Sequence, residues 1–442
     1  MYFLYSALAA VALLLSSPLW LIRMMRHGKY RAGLGERFGR VPGRLRDPQR
    51  RPIIWVHAVS VGELLAVSGL IGELQRRAPA YRVVVSTTTA TGQKLARERF
   101  GDPNAFYFPA DFAFAVRPYL RALRPELVVI AETEFWPNFL RLARQAGARI
   151  AVVNARISDR SFPRYRRFRA LMRPVLRQVD VFLTQGEEDR RRLIAIGAPA
   201  ERVQVGGNVK FDLKPAGAAP TVAQLKFAIA GSGPVLVCGS TVEGEEPIVL
   251  RAFDAIRRQY SNALMILAPR HPERFQQVAD LLAACGMPWW RRSHWDSSPI
   301  SSGVFLLDTI GELASIYELA DIALVGGSLV PRGGHNILEA AQYGAAIVVG
   351  PHTVNFRDMV ALFLRADAVV VTNADDLPAT LLNLLAEENR RHDLGARARE
   401  ILHANAGATA RTVAVLESLL ASRAGAASES VVASRIPSRL ER

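Results

Sequence analysis

The chain has 442 residues, half of them hydrophobic and 22% charged, too many for one core and suited to two domains. That composition excludes a disordered, collagen-like or disulfide-knotted chain, and two cysteines, Cys238 and Cys285, fit a reducing compartment. The 56 basic residues outweigh 40 acidic ones by +16, and only five are lysines, so the excess is guanidinium, which suits phosphate and carboxylate partners.

In chain order, Phe3 to Ile22 is a run of twenty residues without a charge. As a helix it would span about 30 Å, the thickness of a bilayer core. No positive segment precedes it and no small-x-small site follows, so it predicts an uncleaved membrane anchor. Trp20 and then Arg23, Arg26, Lys29 and Arg31 predict an N-terminus outside and a cytoplasmic body. Arg23 to Arg51 holds ten basic residues against Glu36 and Asp47. A second cluster runs through Arg156, Arg160, Arg164, Arg166, Arg167, Arg169, Arg173 and Arg177. With no nucleic-acid-binding signature in the chain, these clusters point to anionic lipid.

Beyond the anchor, short apolar runs alternate with helical stretches, as in a parallel sheet covered on both faces. The first series is 53–59, 82–89, 105–109, 127–132, 149–155 and 181–185. The second is 234–240, 263–269, 304–308, 322–327, 346–350 and 368–373. Two doubly wound α/β domains with a cleft between them follow. The divisions expected are an anchor over 1–22, a first domain over 23–208, a linker over 209–221, a second domain over 222–423 and a disordered tail over 424–442. No G-x-G-x-x-G follows the first strand of the second domain, and there is no P-loop, H-E-x-x-H or paired C-x-x-C. Dinucleotide, P-loop and metal sites are therefore not expected.

Three strand-to-helix turns share one layout. Ser60 precedes Glu63, Ser240 precedes Glu243, and Asn336 precedes Glu339, each by three residues. Each pair reads as a capping box. Each also sits at the carboxyl end of a strand, where open α/β sheets bind ligands and helix N-termini favour anions. Gly326, Gly327, Gly333 and Gly334 exceed what a cap needs and suit close approach to a ligand. Arg270 and His271 follow a strand at the same edge. Glu132 and Glu134 end another, two apart on an extended segment and so on one side. Lys210 fits either a structural ion pair or an active-site cation.

Taken together, WVHAVSVGE, AETEFWPN, NARISDRS, GNVKFD, GSTVEGEE, APRHPERF, DTIGEL and GGSLVPRGGHNILEAAQYG resemble the 3-deoxy-D-manno-octulosonic acid (Kdo) transferases of Gram-negative bacteria. These belong to the GT-B glycosyltransferases. The segments run in family order from about residue 30 to 360. The resemblance implies two Rossmann-like domains, an N-terminal inner-membrane helix, and Kdo transfer from CMP-Kdo to the lipid A precursor on the cytoplasmic side. It implies Glu63 as the proton acceptor and Glu132 and Lys210 as transition-state stabilisers. Pro269, Arg270, Ile310, Gly311, Glu312, Asn336, Ile337, Leu338 and Glu339 match positions that hold CMP. Val242 departs from the histidine common after GST in the family. An inverting direct displacement without cofactor or metal is expected. The competing readings are another GT-B nucleotide-sugar transferase or epimerase, and a non-enzymatic basic membrane-surface protein.

Overall fold

The computed structural model describes the backbone of residues 2–27, 33–212 and 220–433, with side chains over 2–17, 33–212 and 220–422. The chain divides into two units, Met1–Asp212 with Ala406–Arg442, and Leu213–Asn405. The first holds β1 (Ile53–His57), β2 (Arg82–Thr87), β3 (Ala105–Tyr107), β4 (Pro125–Ala131), β5 (Arg149–Ala155), β6 (Val181–Thr184) and β7 (Val203–Val205). They form a parallel sheet in the order β3-β2-β1-β4-β5-β6-β7. The second holds β8 (Val235–Thr241), β9 (Leu264–Pro269), β10 (Trp289–Arg291), β11 (Gly303–Leu306), β12 (Ile322–Val325), β13 (Ala346–Val349) and β14 (Val370–Val371). Its order is β10-β11-β9-β8-β12-β13-β14, again parallel.

The central strands are apolar throughout because both faces are covered. Trp55, Val84, Val128, Ile150 and Phe182 enter one core of the first unit. Their alternate neighbours Ile54, Val85, Leu127, Val129 and Ala151 enter the other. The twelve expected runs all become strands, most of them a residue or two shorter at the carboxyl end. The edge strands β7 and β10 were not legible, since three-residue strands with part-exposed side chains carry no apolar run.

The domain boundary differs from expectation. The helix Ala408–Ala433 belongs to the first unit, where Val413, Leu416 and Leu420 join the core formed by β1, β4 and β5. Asp212 fixes the return by accepting the amides of Gly407 and Thr409. The second domain therefore ends near Asn405, not at 423. Residues 424–433 are helical rather than disordered. Residues 434–442 of the expected tail and 213–219 of the expected linker lie outside the described residues.

The apolar N-terminal run is helical as expected, over Tyr2–His27. Among the described residues no helix is long and apolar enough to cross a membrane. The side chains of Trp20, Arg23 and Arg26, and all of Lys29 and Arg31, lie outside the described residues. The start of the helix rests on the first unit: Tyr2 Oη donates to Pro174 O at 3.3 Å, and Asn138 Nδ2 donates to Ser6 Oγ at 2.9 Å. Phe3, Leu4, Leu8, Leu14 and Leu15 face outward, each more than half exposed.

Leu416→Ala should lower the unfolding free energy by about 2–5 kcal/mol, the usual cost of a buried leucine cavity, because Leu416 is fully buried against the sheet. Denaturant titration of the full chain measures this. An unchanged midpoint would mean that the last helix does not complete that core.

Candidate active site

In the first unit the strand order turns between β1 and β4, with β2 and β3 on one side and β5 to β7 on the other. Ligands gather at the carboxyl ends of strands at such a switch point. The two turns expected to carry chemistry leave from those two strands. After β1, Ser60 caps the helix Val61–Arg77 by accepting from Glu63 N at 3.4 Å. The Glu63 carboxylate reaches back to accept Val59 N at 2.8 Å and Ser60 Oγ at 3.1 Å. The forward half of the capping box is therefore present, while the returning carboxylate takes the Val59 amide and the Ser60 hydroxyl instead of the Ser60 amide. Burial still pushes the Glu63 carboxyl up to about 7, the Val59 amide opposes this, and Glu132 and Glu134 raise it further. A cap and a proton acceptor are compatible in this residue.

After β4, Glu132 adopts a left-handed φ of 56°. Glu132 and Glu134 therefore do not lie two apart on an extended segment as expected, since the strand ends at Ala131 and the chain turns at once. Burial raises the Glu134 carboxyl, with Glu132 adding to it. Lys210, at the 3-10 turn Val209–Phe211, places Nζ 3.7 Å from Glu132 Oε1. Of the two readings of Lys210, a structural ion pair or an active-site cation, that contact supplies the ion pair. His57, not singled out by sequence, is fully buried at the end of β1 with its ring stacked on Phe108 at 3.9 Å. Its Nδ1 meets Ser86, and burial pushes it down to about 3, so it is neutral at physiological pH.

In the second unit the corresponding neighbours are β8 and β12. Here the expected capping box fails. β8 runs through Ser240 to Thr241, Ser240 has φ 56°, and the next helix starts at Glu246. Glu243 is exposed and 3.7 Å from Arg332. The carboxylate that works is Glu245, fully buried, which accepts Val242 N at 3.0 Å, Gly327 N at 2.7 Å, Ser328 N at 3.0 Å and Leu329 N at 2.9 Å. Burial raises its carboxyl and those four amides oppose the rise. It ties the turn after β8 to the glycine loop after β12. The fit is tight, since a Cβ on Gly326 would lie 2.6 Å from Ser240 O. Gly327, at φ 71°, could carry none without meeting the His335 ring at 2.7 Å.

Around that loop the residues matched to CMP gather in part. Pro269 ends β9, and Arg270 N donates to Thr241 O at 2.8 Å, leaving the Arg270 side chain exposed. His335 is pushed down to about 4 by burial, then by Arg270 and His271, so these three basic groups share one region. Glu339 is raised by burial, against Asn336 and Arg270. The helix there is Leu338–Tyr343, one residue later than the cap at Asn336 predicts, and Asn336 Oδ1 accepts Leu338 N at 3.2 Å. Ile337 and Leu338 are fully buried, and the Leu338 amide is already taken by Asn336, so neither presents a side chain to a ligand. Ile310 and Gly311 are exposed. Glu312 is half-buried, yet the hydroxyls of Thr221 and Thr309 and the Arg292 guanidinium hold its carboxyl low. Val242 is buried and contributes its amide to Glu245. Among the described residues no group of three or more His, Cys, Asp or Glu could hold a metal ion.

Two parallel seven-stranded sheets of this kind give the chain a GT-B-type α/β fold. MurG from Acinetobacter baumannii superposes with a TM-score of 0.54 at 12% identity, over 83% of this chain and 99% of that one. A UDP-GlcNAc 2-epimerase from Neisseria meningitidis gives 0.52 at 15% identity, over 80% and 99%. Residues 32–213 match the family model for 3-deoxy-D-manno-octulosonic-acid transferase. The 3-deoxy-D-manno-octulosonic acid transferase of Haemophilus influenzae is 33% identical over 91% of this chain and 95% of its own length. That of Bordetella pertussis is 37% identical over 88% and 93%. The chain belongs to the Kdo transferase family.

Glu245→Ala would leave three consecutive buried loop amides and that of Val242 without their acceptor, at about 1–3 kcal/mol for each that water does not reach. A fall of several kcal/mol in the unfolding free energy is expected. A change below about 1 kcal/mol would show that the loop does not depend on this carboxylate.

Proposed function

We propose that this chain transfers Kdo from CMP-Kdo to a hydroxyl of the lipid A precursor, in lipopolysaccharide inner-core synthesis. The observation that carries the mechanism is Glu63, a carboxyl held at a switch-point turn and raised to about 7 by burial beside two other glutamates. A base with that affinity for protons is matched to neutral pH, half ionised yet basic enough to take the hydroxyl proton as the new bond forms. Glu132 and Lys210, an ion pair at the next strand, act as stabilisers of the charge that develops. In the second unit, Arg270 and the turn from Asn336 to Glu339 hold the CMP phosphate and nucleoside, with Pro269 and the Ile310–Glu312 turn as further contacts. The phosphate leaves as the donor carbon passes through an oxocarbenium-like state, and attack from the opposite face inverts that carbon. The chain supplies guanidinium and amide groups for the leaving phosphate, so the reading needs no metal.

We also propose that the protein works at the cytoplasmic face of the inner membrane. The apolar outward face of the first helix supports this, as do Phe114 and, beside the arginine cluster, Phe168 and Leu171 in the same unit, each at least half exposed. Arg160, Arg164, Arg166, Arg167, Arg169, Arg173 and Arg177 are all exposed. The earlier cluster is less available than its sequence suggests, since Arg44 pairs with Glu36 and Arg51 with Asp47. A membrane-spanning first helix with its N-terminus outside would have to give up the contacts of Tyr2 and Ser6 with Pro174 and Asn138.

Incubating the protein with tetra-acylated lipid A precursor and freshly generated CMP-Kdo should add the mass of one or more Kdo units. No mass shift, with CMP still raising the unfolding temperature, would overturn the choice of donor or acceptor. For Glu63→Gln a loss of about 10²–10⁴-fold in kcat is expected, with CMP stabilisation retained. The wild-type rate should rise with pH and level off above about 7, since Glu63 accepts a proton only when ionised. A flat profile from pH 5 to 8 would remove Glu63 as the base. Co-sedimentation with anionic vesicles should weaken as salt rises from 0.05 to 0.5 M, over which the screening length falls several-fold. Salt-insensitive binding would assign the membrane contact to the apolar helix alone.

A further inference from the structure

We infer that Asn154 is a positioning residue that, through a bulge in β5, sets Lys210 against Glu132; the inference rests on the roles proposed above for that pair. Asn154 lies within NARISDRS, a segment the mechanism leaves without a task. The pairing of β5 with β6 slips at this point: Val152 faces Phe182, whereas Ala155 faces Thr184. Three steps on β5 therefore match two on β6. Such bulges re-aim side chains beside functional sites. Asn154 itself is left-handed, with φ 53°, and 1% exposed. Glycine would meet that conformation without strain, so the asparagine side chain must be sought in what it binds.

It binds the lysine turn. Asn154 Oδ1 accepts Val209 N at 3.2 Å, the amide just before Lys210. Lys210 N is in turn accepted by Asn208 Oδ1 at 3.0 Å. Asn208 Nδ2 donates to Gln185 Oε1 at 3.0 Å, and Gln185 Nε2 donates to the main-chain oxygen of Asn154 at 3.1 Å. These amides close a ring that begins and ends at the bulge and fixes two successive residues of the turn. The other member of the ion pair is registered on the same place, since Glu132 N donates to Val153 O at 2.9 Å. Lys210 and Glu132 come from segments 78 residues apart in sequence, and the bulge at 153–154 is where both backbones are tied. Asn154 Nδ2 has no partner among the described residues, so the side chain's one bond here is the one to the lysine turn.

The test uses the full-length protein with lysines labelled with ¹³C at Cε, of which the chain has five. The Lys210 signal is assigned by its loss in Lys210→Ala. Asn154→Gly keeps the left-handed backbone and removes the side chain, whose one bond among the described residues is that to Val209 N. It should move the Lys210 signal in the same direction as Glu132→Gln does, and lower kcat at least tenfold with KM for donor and acceptor within twofold. The double variant Asn154→Gly/Lys210→Ala should be no slower than Lys210→Ala alone, because residues acting through one another are not additive. If Asn154→Gly fails to fold, Asn208→Ala opens the same ring at Lys210 N and must show the same pattern. An unmoved signal with unchanged kcat, or additive losses in the double variant, would overturn the inference. A wild-type protein that shows the Lys210–Glu132 coupling but transfers no Kdo would instead overturn the proposed function and leave this geometry standing.

Discussion

The reversal of strand order at the centre of each sheet is the constraint on which the rest of the structure depends. Where neighbouring parallel strands send their crossovers to opposite faces, no helix covers the carboxyl edge between them. Backbone amides and polar side chains that would be covered elsewhere are left available there. In the first unit this edge lies between β1 and β4, and in the second between β8 and β12. Glu63, Glu132, Glu245 and the glycine loop all belong to those four strands' exits.

Burial raises a carboxyl at that edge in both units, and the two differ in the partners they give it. Glu245 is given four backbone amides and serves as a fixed brace between two turns. Glu63 is given one amide and one hydroxyl, and its charged neighbours are other glutamates. Solvation by dipoles stabilises a charge in place, whereas burial with incomplete solvation raises proton affinity. The first arrangement makes a scaffold, and the second is the one on which the proposed base rests. The helix cap at Ser60 fixes where the Glu63 carboxylate stands.

How far the site was legible varied residue by residue, for physical reasons. The Glu63 capping box could be read because its partners are three residues apart on one turn. Its elevated proton affinity could not, since it comes first from burial and then from Glu132 and Glu134, which sheet pairing brings near. The same spacing misled at Ser240 and Glu243, where β8 continues through the serine and the later Glu245 takes the buried position. Asn336 and Glu339 were placed correctly on one turn, but the helix starts only at Leu338. Asn154 was invisible as a single residue, because a bulge exists only in the mismatch between two strands.

By itself the amino-acid sequence determined the α/β class, twelve of the fourteen strands and the residue types gathered at each strand end. Those follow from local periodicity, turn chemistry and family motifs. Tertiary structure alone decided that the last helix returns to the first unit, that Lys210 pairs with Glu132, that Glu245 rather than Glu243 is the buried brace, and that burial raises the Glu63 carboxyl. Each of these depends on burial or on groups distant in sequence, and desolvation and long-range pairing leave no periodic mark on the chain.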